Sequence, residues 1–118
     1  MISGTHAILY SNDAEVDRQF LLELLGTPHV DAGDGWLILK LPPAEVAVHP
    51  TEGAPKQELY LMVDDADAFV RDLGERGVDV VAPVSDQGWG RVLTFRLPSG
   101  APLSAYEPRH DTAHSLPD

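Results

Sequence analysis

The chain has 118 residues, 43% of them hydrophobic and 23% charged, which suits one globular domain with a single core and excludes two independent ones. Eight lysine and arginine residues against nineteen aspartate and glutamate residues give a formal net charge of −11, and this negative charge disfavours nucleic acids and anionic membrane surfaces as partners. Cysteine is absent, which excludes disulfides, thiolate zinc sites and a cysteine nucleophile.

The N-terminal residues 1–10 do not have a basic segment followed by a long apolar run, so they do not predict a signal peptide. No apolar stretch approaches the roughly 20 residues that are needed to span a bilayer. We therefore expect a cytoplasmic protein.

The first predicted unit covers about residues 4–50 and begins with a strand at 5–10. Side chains alternate between the two faces of a strand. His6, Ile8 and Tyr10 are therefore expected to share one face.

A helix near 13–25 follows, because apolar residues recur there at spacings of three and four, and Gly26 can end it. The segments HVDA, WLILKL and EVAVH then predict three short strands, separated by turns that contain glycine or proline. Residues 51–56 form a polar linker.

The second predicted unit, about 57–108, repeats this order. Its first strand, 58–63, places Glu58, Tyr60 and Met62 on one face by the same alternation. A helix is expected near 65–76.

Three further strands complete the second unit, in the segments VDVVAPV, RVLTFRL and PLSAYE. The tail, 109–118, follows Pro108, contains Pro117 and has few apolar residues, so we expect it to be loosely ordered, with no specific role for its histidines.

The two units are related by an internal repeat. Placing Glu58 on His6 gives an offset of 52 (58 − 6), which aligns Leu9 with Leu61 and Leu21 with Leu73. Repetition of strand, helix and three strands predicts an α+β fold made of tandem βαβββ units.

Two segments carry a resemblance to a known family: ELYLMVDDADAFVRDLGERGV and LPSGAPLSAYEP. Together with the doubled element order over about 4–108, they resemble the glyoxalase / bleomycin resistance protein / extradiol dioxygenase superfamily, also called the vicinal oxygen chelate (VOC) superfamily. The resemblance implies a curved mixed sheet around a cavity, with the helices outside. It also implies that the two units combine either within one chain or across a homodimer, and we expect a homodimer.

Enzymes of this superfamily hold a divalent metal ion with residues of the first and last strand of each unit. The resemblance carries these positions onto His6, Val46, Glu58 and Ser104. Valine cannot bind a metal and a neutral serine hydroxyl is a poor ligand, so two of the four ligands are missing.

A different register would restore the set with His49 and Glu107. Both residues lie an odd number of positions from Val46 and Ser104, so strand alternation turns them to the opposite face unless a bulge intervenes. Two alternatives therefore remain: a metal site that includes His6 and Glu58, or a cavity that binds no metal.

Without a metal, His6 and Glu58 could meet in the cavity as a catalytic base and its orienting group, or as an ion pair. The side chains expected to contact a ligand are Tyr10, Tyr60, Met62, Trp89, Arg96, Ser104 and Tyr106. Lys40 is a further candidate for an inward position.

Three functions are compatible with these features. The first is binding of a small organic molecule without chemistry, and the second is a metal-dependent lyase, isomerase or dioxygenase acting on vicinal oxygens. The third is a structural relative without a ligand. The incomplete ligand set favours binding.

Overall fold

The computed structural model of the chain describes residues 6–9, 11–45, 47, 50, 52–54 and 57–117. Its elements, in chain order, are α1 (Ala14–Leu25), β1 (His29–Asp31), β2 (Leu37–Leu39), β3 (Tyr60–Met62), α2 (Ala66–Glu75), β4 (Val80–Asp86), β5 (Gly90–Arg96) and β6 (Pro102–Pro108), followed by a 3-10 helix at Ala113–Ser115. The described part of the chain is therefore a small α+β fold.

The second unit has the predicted order of one strand, one helix and three strands. Its four strands form one mixed sheet in the order β3-β6-β5-β4. β3 runs parallel to β6, whereas β6, β5 and β4 are joined by antiparallel pairing. The parallel pair is possible because α2 and two strands separate β3 from β6 in the chain.

The hydrophobic core lies between this sheet and α2. The side chains of Leu93, Phe95, Leu103 and Ala105 point from β5 and β6 towards the helix and are buried together with Ala66 and Leu73 of α2. α2 begins where the carboxylate of Asp65 accepts a hydrogen bond from the backbone N–H of Ala68 at 3.1 Å, as expected of an aspartate N-cap.

The helix of the first unit contributes to the same core. Phe20, Leu21 and Leu24 of α1 pack against the buried cluster. A polar contact adds to this packing: Asp17, only 5% exposed, accepts hydrogen bonds from the backbone N–H and the hydroxyl of Ser99, at 3.1 and 2.7 Å. The sequence did not point to this contact, which joins α1 to the turn between β5 and β6.

The remainder of the first unit departs from the prediction. HVDA and WLILKL do supply the antiparallel strands β1 and β2. The expected strand at 5–10 is not formed at its described residues, 6–9, and the described part of EVAVH has no strand either. A strand needs a hydrogen-bonded neighbour, and no described residue pairs with 6–9. The tandem repeat therefore stays a prediction.

The tail, which we expected to be loosely ordered, is hydrogen-bonded to the rest of the chain. The carboxylate of Glu45 accepts hydrogen bonds from the backbone N–H groups of Ala113 and His114, at 2.7 and 3.3 Å. These two amides belong to the 3-10 helix. Across the described residues, neither helix is long and apolar enough to cross a membrane.

Candidate functional site

The candidate site is the face of the four-stranded sheet that points away from α2, which we call the distal face. Strand register places on it the side chains of Tyr60, Met62, Val92, Thr94, Arg96, Ser104 and Tyr106. Tyr60 and Met62 share this face, as strand alternation predicted. Ser104 and Tyr106, which were expected to contact a ligand, lie on the same face.

Three aromatic rings meet on the distal face, and we call them the aromatic cluster: Tyr60 from β3, Tyr106 from β6 and Trp89 from the turn between β4 and β5. The ring centroids of Tyr60 and Tyr106 are 5.8 Å apart, those of Trp89 and Tyr106 5.3 Å, and those of Tyr60 and Trp89 6.4 Å. All three pairs are edge-to-face, with interplanar angles between 69° and 90°. Trp89 keeps 46% of its surface exposed, so solutes can reach the cluster.

The turn that carries Trp89 is built by its neighbours. The carboxylate of Asp86 accepts a hydrogen bond from the backbone N–H of Gly88 at 2.9 Å and also pairs with the guanidinium of Arg109. Gly88 has a φ of 82°, a conformation that suits glycine. The Gly88 amide and the Arg109 charge hold the pKa of the Asp86 carboxyl below its usual value even though burial opposes them. The backbone N–H of Arg109 donates to the Trp89 carbonyl at 2.9 Å.

Both tyrosine hydroxyls of the cluster donate to carboxylates. The Tyr60 hydroxyl donates to Glu58 at 2.9 Å, and the Tyr106 hydroxyl donates to Glu45 at 3.4 Å. The bond to Glu58, followed by burial, raises the pKa of Tyr60, whereas burial, followed by the Glu45 charge, raises the pKa of Tyr106. Both phenols therefore stay protonated at neutral pH and act as donors.

Glu45 and His110 border the cluster and were not predicted as site residues. The Nε2 atom of His110 lies 3.3 Å from the Tyr106 hydroxyl, and the two rings are 6.0 Å apart. Burial disfavours the Glu45 anion, but the amides of His114 and Ala113 and the nearby imidazoles outweigh it, so the pKa of Glu45 is lowered. The tail brings His110 to the cluster, and no local pattern in the sequence indicates this position.

A hydroxyl pair lies beside the rings. The side-chain oxygens of Thr94 and Ser104 are 2.9 Å apart across β5 and β6. Thr94 was missed, although it could have been found, because it lies two positions before Arg96 and alternation gives the two residues the same face. The hydroxyls offer a ligand hydrogen-bonding groups next to an aromatic surface.

Two further predicted residues do not join the aromatic cluster. Glu107 is turned towards α2, where it accepts a hydrogen bond from the backbone N–H of Ala66 at 2.9 Å and lies 3.7 Å from Arg91, as alternation predicts. Arg96 is at the far end of β5, and its guanidinium donates to the carbonyl of Gly100 at 3.0 Å.

The remaining predicted residues belong to the first unit or its boundary. His6 is exposed and has no regular secondary structure, and Lys40 follows β2 in an exposed position. Tyr10 and His49 lie outside the described residues. Pairing of His6 with Glu58 across a cavity stays a prediction.

The donor atoms were compared with the needs of a divalent metal. In the ranges that the structure describes, no three His, Asp or Glu side chains converge closely enough to hold a metal ion. Ser104, at one of the ligand positions that the resemblance implies, shares its hydroxyl with Thr94, and Val46 lies outside those ranges. The described donor set thus does not fit a resident metal, which usually takes three or four charged or imidazole ligands.

Two surface grooves lie in the described part of the first unit, away from the aromatic cluster. One is apolar and lined by Pro28, His29, Val30, Ile38, Leu39 and Lys40. The other is polar and lies between α1 and the β1–β2 turn. The distal face remains the stronger candidate because it combines aromatic rings with hydroxyls and carboxylates.

Comparisons with known proteins give structural relatives. No protein-family model matches the sequence, and no curated protein matches it. The fold is similar to that of TnmS3, an antibiotic binding protein from Streptomyces sp. CB03234, with 27% identity, a TM-score of 0.62, and coverage of 92% of this chain and 99% of that chain.

Two further solved structures are similar. A member of the glyoxalase/bleomycin resistance protein/dioxygenase superfamily from Sphaerobacter thermophilus DSM 20745 has 26% identity and a TM-score of 0.61, over 90% of this chain and 98% of that chain. A lactoylglutathione lyase from Agrobacterium tumefaciens has 16% identity and a TM-score of 0.64, over 89% of this chain and 92% of that chain. At 16% identity, this second likeness shows the fold alone.

Proposed function

Because the chain belongs to the glyoxalase/bleomycin resistance/dioxygenase superfamily, we propose that it binds a small organic molecule with a flat aromatic part on the distal face and does not transform it. The observation that carries this proposal is the aromatic cluster, in which Tyr60, Trp89 and Tyr106 contact one another while Trp89 stays partly exposed. The similarity to an antibiotic binding protein supports it.

Ring contacts would supply the affinity and the neighbouring hydroxyls the orientation. Aromatic pairs contribute about 0.5–1.5 kcal/mol beyond the surface that they bury. Thr94 and Ser104 share one hydrogen bond between them, which leaves further acceptor capacity for a ligand. This arrangement selects a planar molecule with a polar edge.

A metal-dependent lyase, isomerase or dioxygenase is the alternative function that the superfamily suggests. The described donor set gives it less support, since Ser104 is neutral and Glu107 points towards α2. Binding on the distal face, in contrast, needs no metal.

Binding of Nile red, an uncharged flat dye, tests the proposal. We expect its fluorescence to rise saturably with the protein, and Trp89→Ala to weaken the affinity about tenfold, which corresponds to ~1.4 kcal/mol. Dialysis against EDTA should leave the affinity unchanged.

The matched control is Trp36→Ala, because Trp36 is 67% exposed and lies in the first unit. Equal losses of dye affinity in the two tryptophan variants would place the dye elsewhere. Loss of binding after EDTA treatment would favour the metal-dependent alternative.

We also propose that the protein is a homodimer. Val30 and Ile38 of the first unit expose large apolar surfaces, and surfaces of this kind commonly mark protein interfaces. Sedimentation equilibrium at tens of micromolar is expected to give twice the chain mass of 12.8 kDa. A monomer at that concentration would contradict the proposal.

A further inference from the structure

We infer that the C-terminal tail covers one side of the aromatic cluster and competes with the ligand there, so that it acts as a lid that opens when the ligand binds. The inference rests on the proposed function and adds the regulation of that site. Three observations lead to it: the position of the His110 ring, the bonds that hold the tail on both sides of this ring, and the polar character of these bonds.

The His110 ring lies against Tyr106 much as a flat ligand would. The two rings are tilted by 35° with centroids 6.0 Å apart, whereas Tyr60 and Trp89 meet Tyr106 edge-to-face. The Nε2 atom of His110 is 3.3 Å from the Tyr106 hydroxyl. Its Nδ1 atom donates to the carbonyl oxygen of Asp111 at 2.8 Å, which holds the ring in this orientation. The imidazole thus takes up ring surface and a hydroxyl that the proposed ligand would use.

The start of the tail is joined to the turn that carries Trp89. The backbone N–H of Arg109 donates to the Trp89 carbonyl at 2.9 Å, and the Arg109 guanidinium pairs with Asp86. His110 is the next residue of the chain, so these bonds bring its ring to the border of the aromatic cluster. The tail and the Trp89 turn are therefore connected before the tail passes Tyr106.

The far end of the tail is joined to Glu45, in the segment that follows β2. The Oε2 atom of Glu45 accepts hydrogen bonds from the backbone N–H groups of Ala113 and His114, at 2.7 and 3.3 Å. Its Oε1 atom accepts from the Tyr106 hydroxyl at 3.4 Å. One carboxylate therefore connects the tail with the aromatic cluster, and its removal would free the far end of the tail.

The attachment of the tail is polar and lies at the surface. Arg109 and Asp86 are both exposed, and exposed ion pairs contribute little to stability. Leu116 is 66% exposed, and no described residue of the tail belongs to the hydrophobic core or packs against it. Segments with few buried apolar contacts open at a low cost in free energy. The tail can therefore leave Tyr106 while the core between the sheet and α2 stays folded.

Nile red binding to variants of the 118-residue chain tests the inference. Glu45→Ala removes the acceptor of the two tail amides, and His110→Ala removes the ring that lies on Tyr106. We expect each variant to bind the dye about 3- to 10-fold more tightly, the effect of one lost hydrogen bond or ring contact in the closed state. Glu23→Ala is the matched control, because it removes a carboxylate from an exposed position of α1 and should leave the affinity unchanged.

Hydrogen exchange gives a readout that a purely structural role of the tail would not change. Competition is reciprocal, so the dye loosens the tail by the factor by which the tail weakens dye binding. We expect saturation with Nile red to speed the exchange of the Ala113 and His114 amides at least about threefold. The amide of Ala68, which is bonded to Asp65 at the start of α2, should keep its rate.

The outcomes separate this inference from the proposed function. Unchanged or weaker dye binding by both Glu45→Ala and His110→Ala, or unchanged exchange at Ala113 and His114, would overturn the lid, and Trp89-dependent binding would still keep the aromatic site. Dye binding that occurs only in these two variants would support both the lid and the site. Absence of dye binding in every protein would remove the two proposals together.

Discussion

Phe95→Ala is expected to lower the free energy of unfolding by about 3–5 kcal/mol, the usual cost of removing a fully buried phenylalanine. Phe95 has no exposed surface, and its ring contacts that of Phe69 edge-to-face with centroids 5.8 Å apart. The substitution leaves a cavity between β5 and α2 and removes this ring contact. Because small domains are stable by about 5–15 kcal/mol, much of the total would be lost. Urea denaturation measures the change.

Thr94→Ala is the matched control, because Thr94 is the next residue of the same strand and faces away from α2. It loses the hydrogen bond to Ser104, which is worth about 1 kcal/mol. A cost for Phe95→Ala no larger than that for Thr94→Ala would mean that the core does not lie between this sheet and α2.

Gly90→Ala is expected to lower the free energy of unfolding by about 1–3 kcal/mol, as overpacking does, and to weaken dye binding. A Cβ atom at Gly90 would lie 2.8 Å from the Tyr106 ring and 3.0 Å from the carbonyl oxygen of Glu107. The oxygen belongs to the neighbouring strand and cannot move alone. The Tyr106 ring would therefore shift within the aromatic cluster.

Gly74→Ala is the same chemical change in a different environment. Gly74 lies within α2, and beyond its chain neighbours and the local helix backbone no atom lies within 4 Å of the added Cβ. Alanine favours a helix over glycine by about 0.5–1 kcal/mol, so this variant should gain stability and leave dye binding unchanged. A gain in stability for Gly90→Ala would contradict the close packing of Gly90 against Tyr106.

The two faces of β5 and β6 have different expected roles: one face contributes to the stability of the fold and the other to ligand binding. Leu93 and Ala105 point into the core, whereas Thr94 and Tyr106 point to the distal face. Substitutions on the distal face are therefore expected to alter ligand affinity more than folding. Gly90 is the exception, because it lies against a residue of the site.

Strand alternation let the sequence predict which side chains of the second unit share a face. Tyr60 and Met62 were correctly assigned to one face, because the direction of a side chain depends on its own strand and not on distant contacts. Glu107 was correctly assigned to the opposite face for the same reason. The two helices followed from periodic apolar residues and from glycine at or just beyond their ends.

Contacts between distant segments were decided by the tertiary structure alone. Asp17 meets Ser99 across 82 positions of the chain, and Glu45 meets Tyr106 across 61. Such contacts depend on how helices, sheet and tail pack, which no local periodicity encodes. The predicted strand at 5–10 is not formed at its described residues, 6–9, for a related reason. A strand is stabilised by hydrogen bonds to a neighbouring strand, and alternation of apolar residues does not show whether such a neighbour is present.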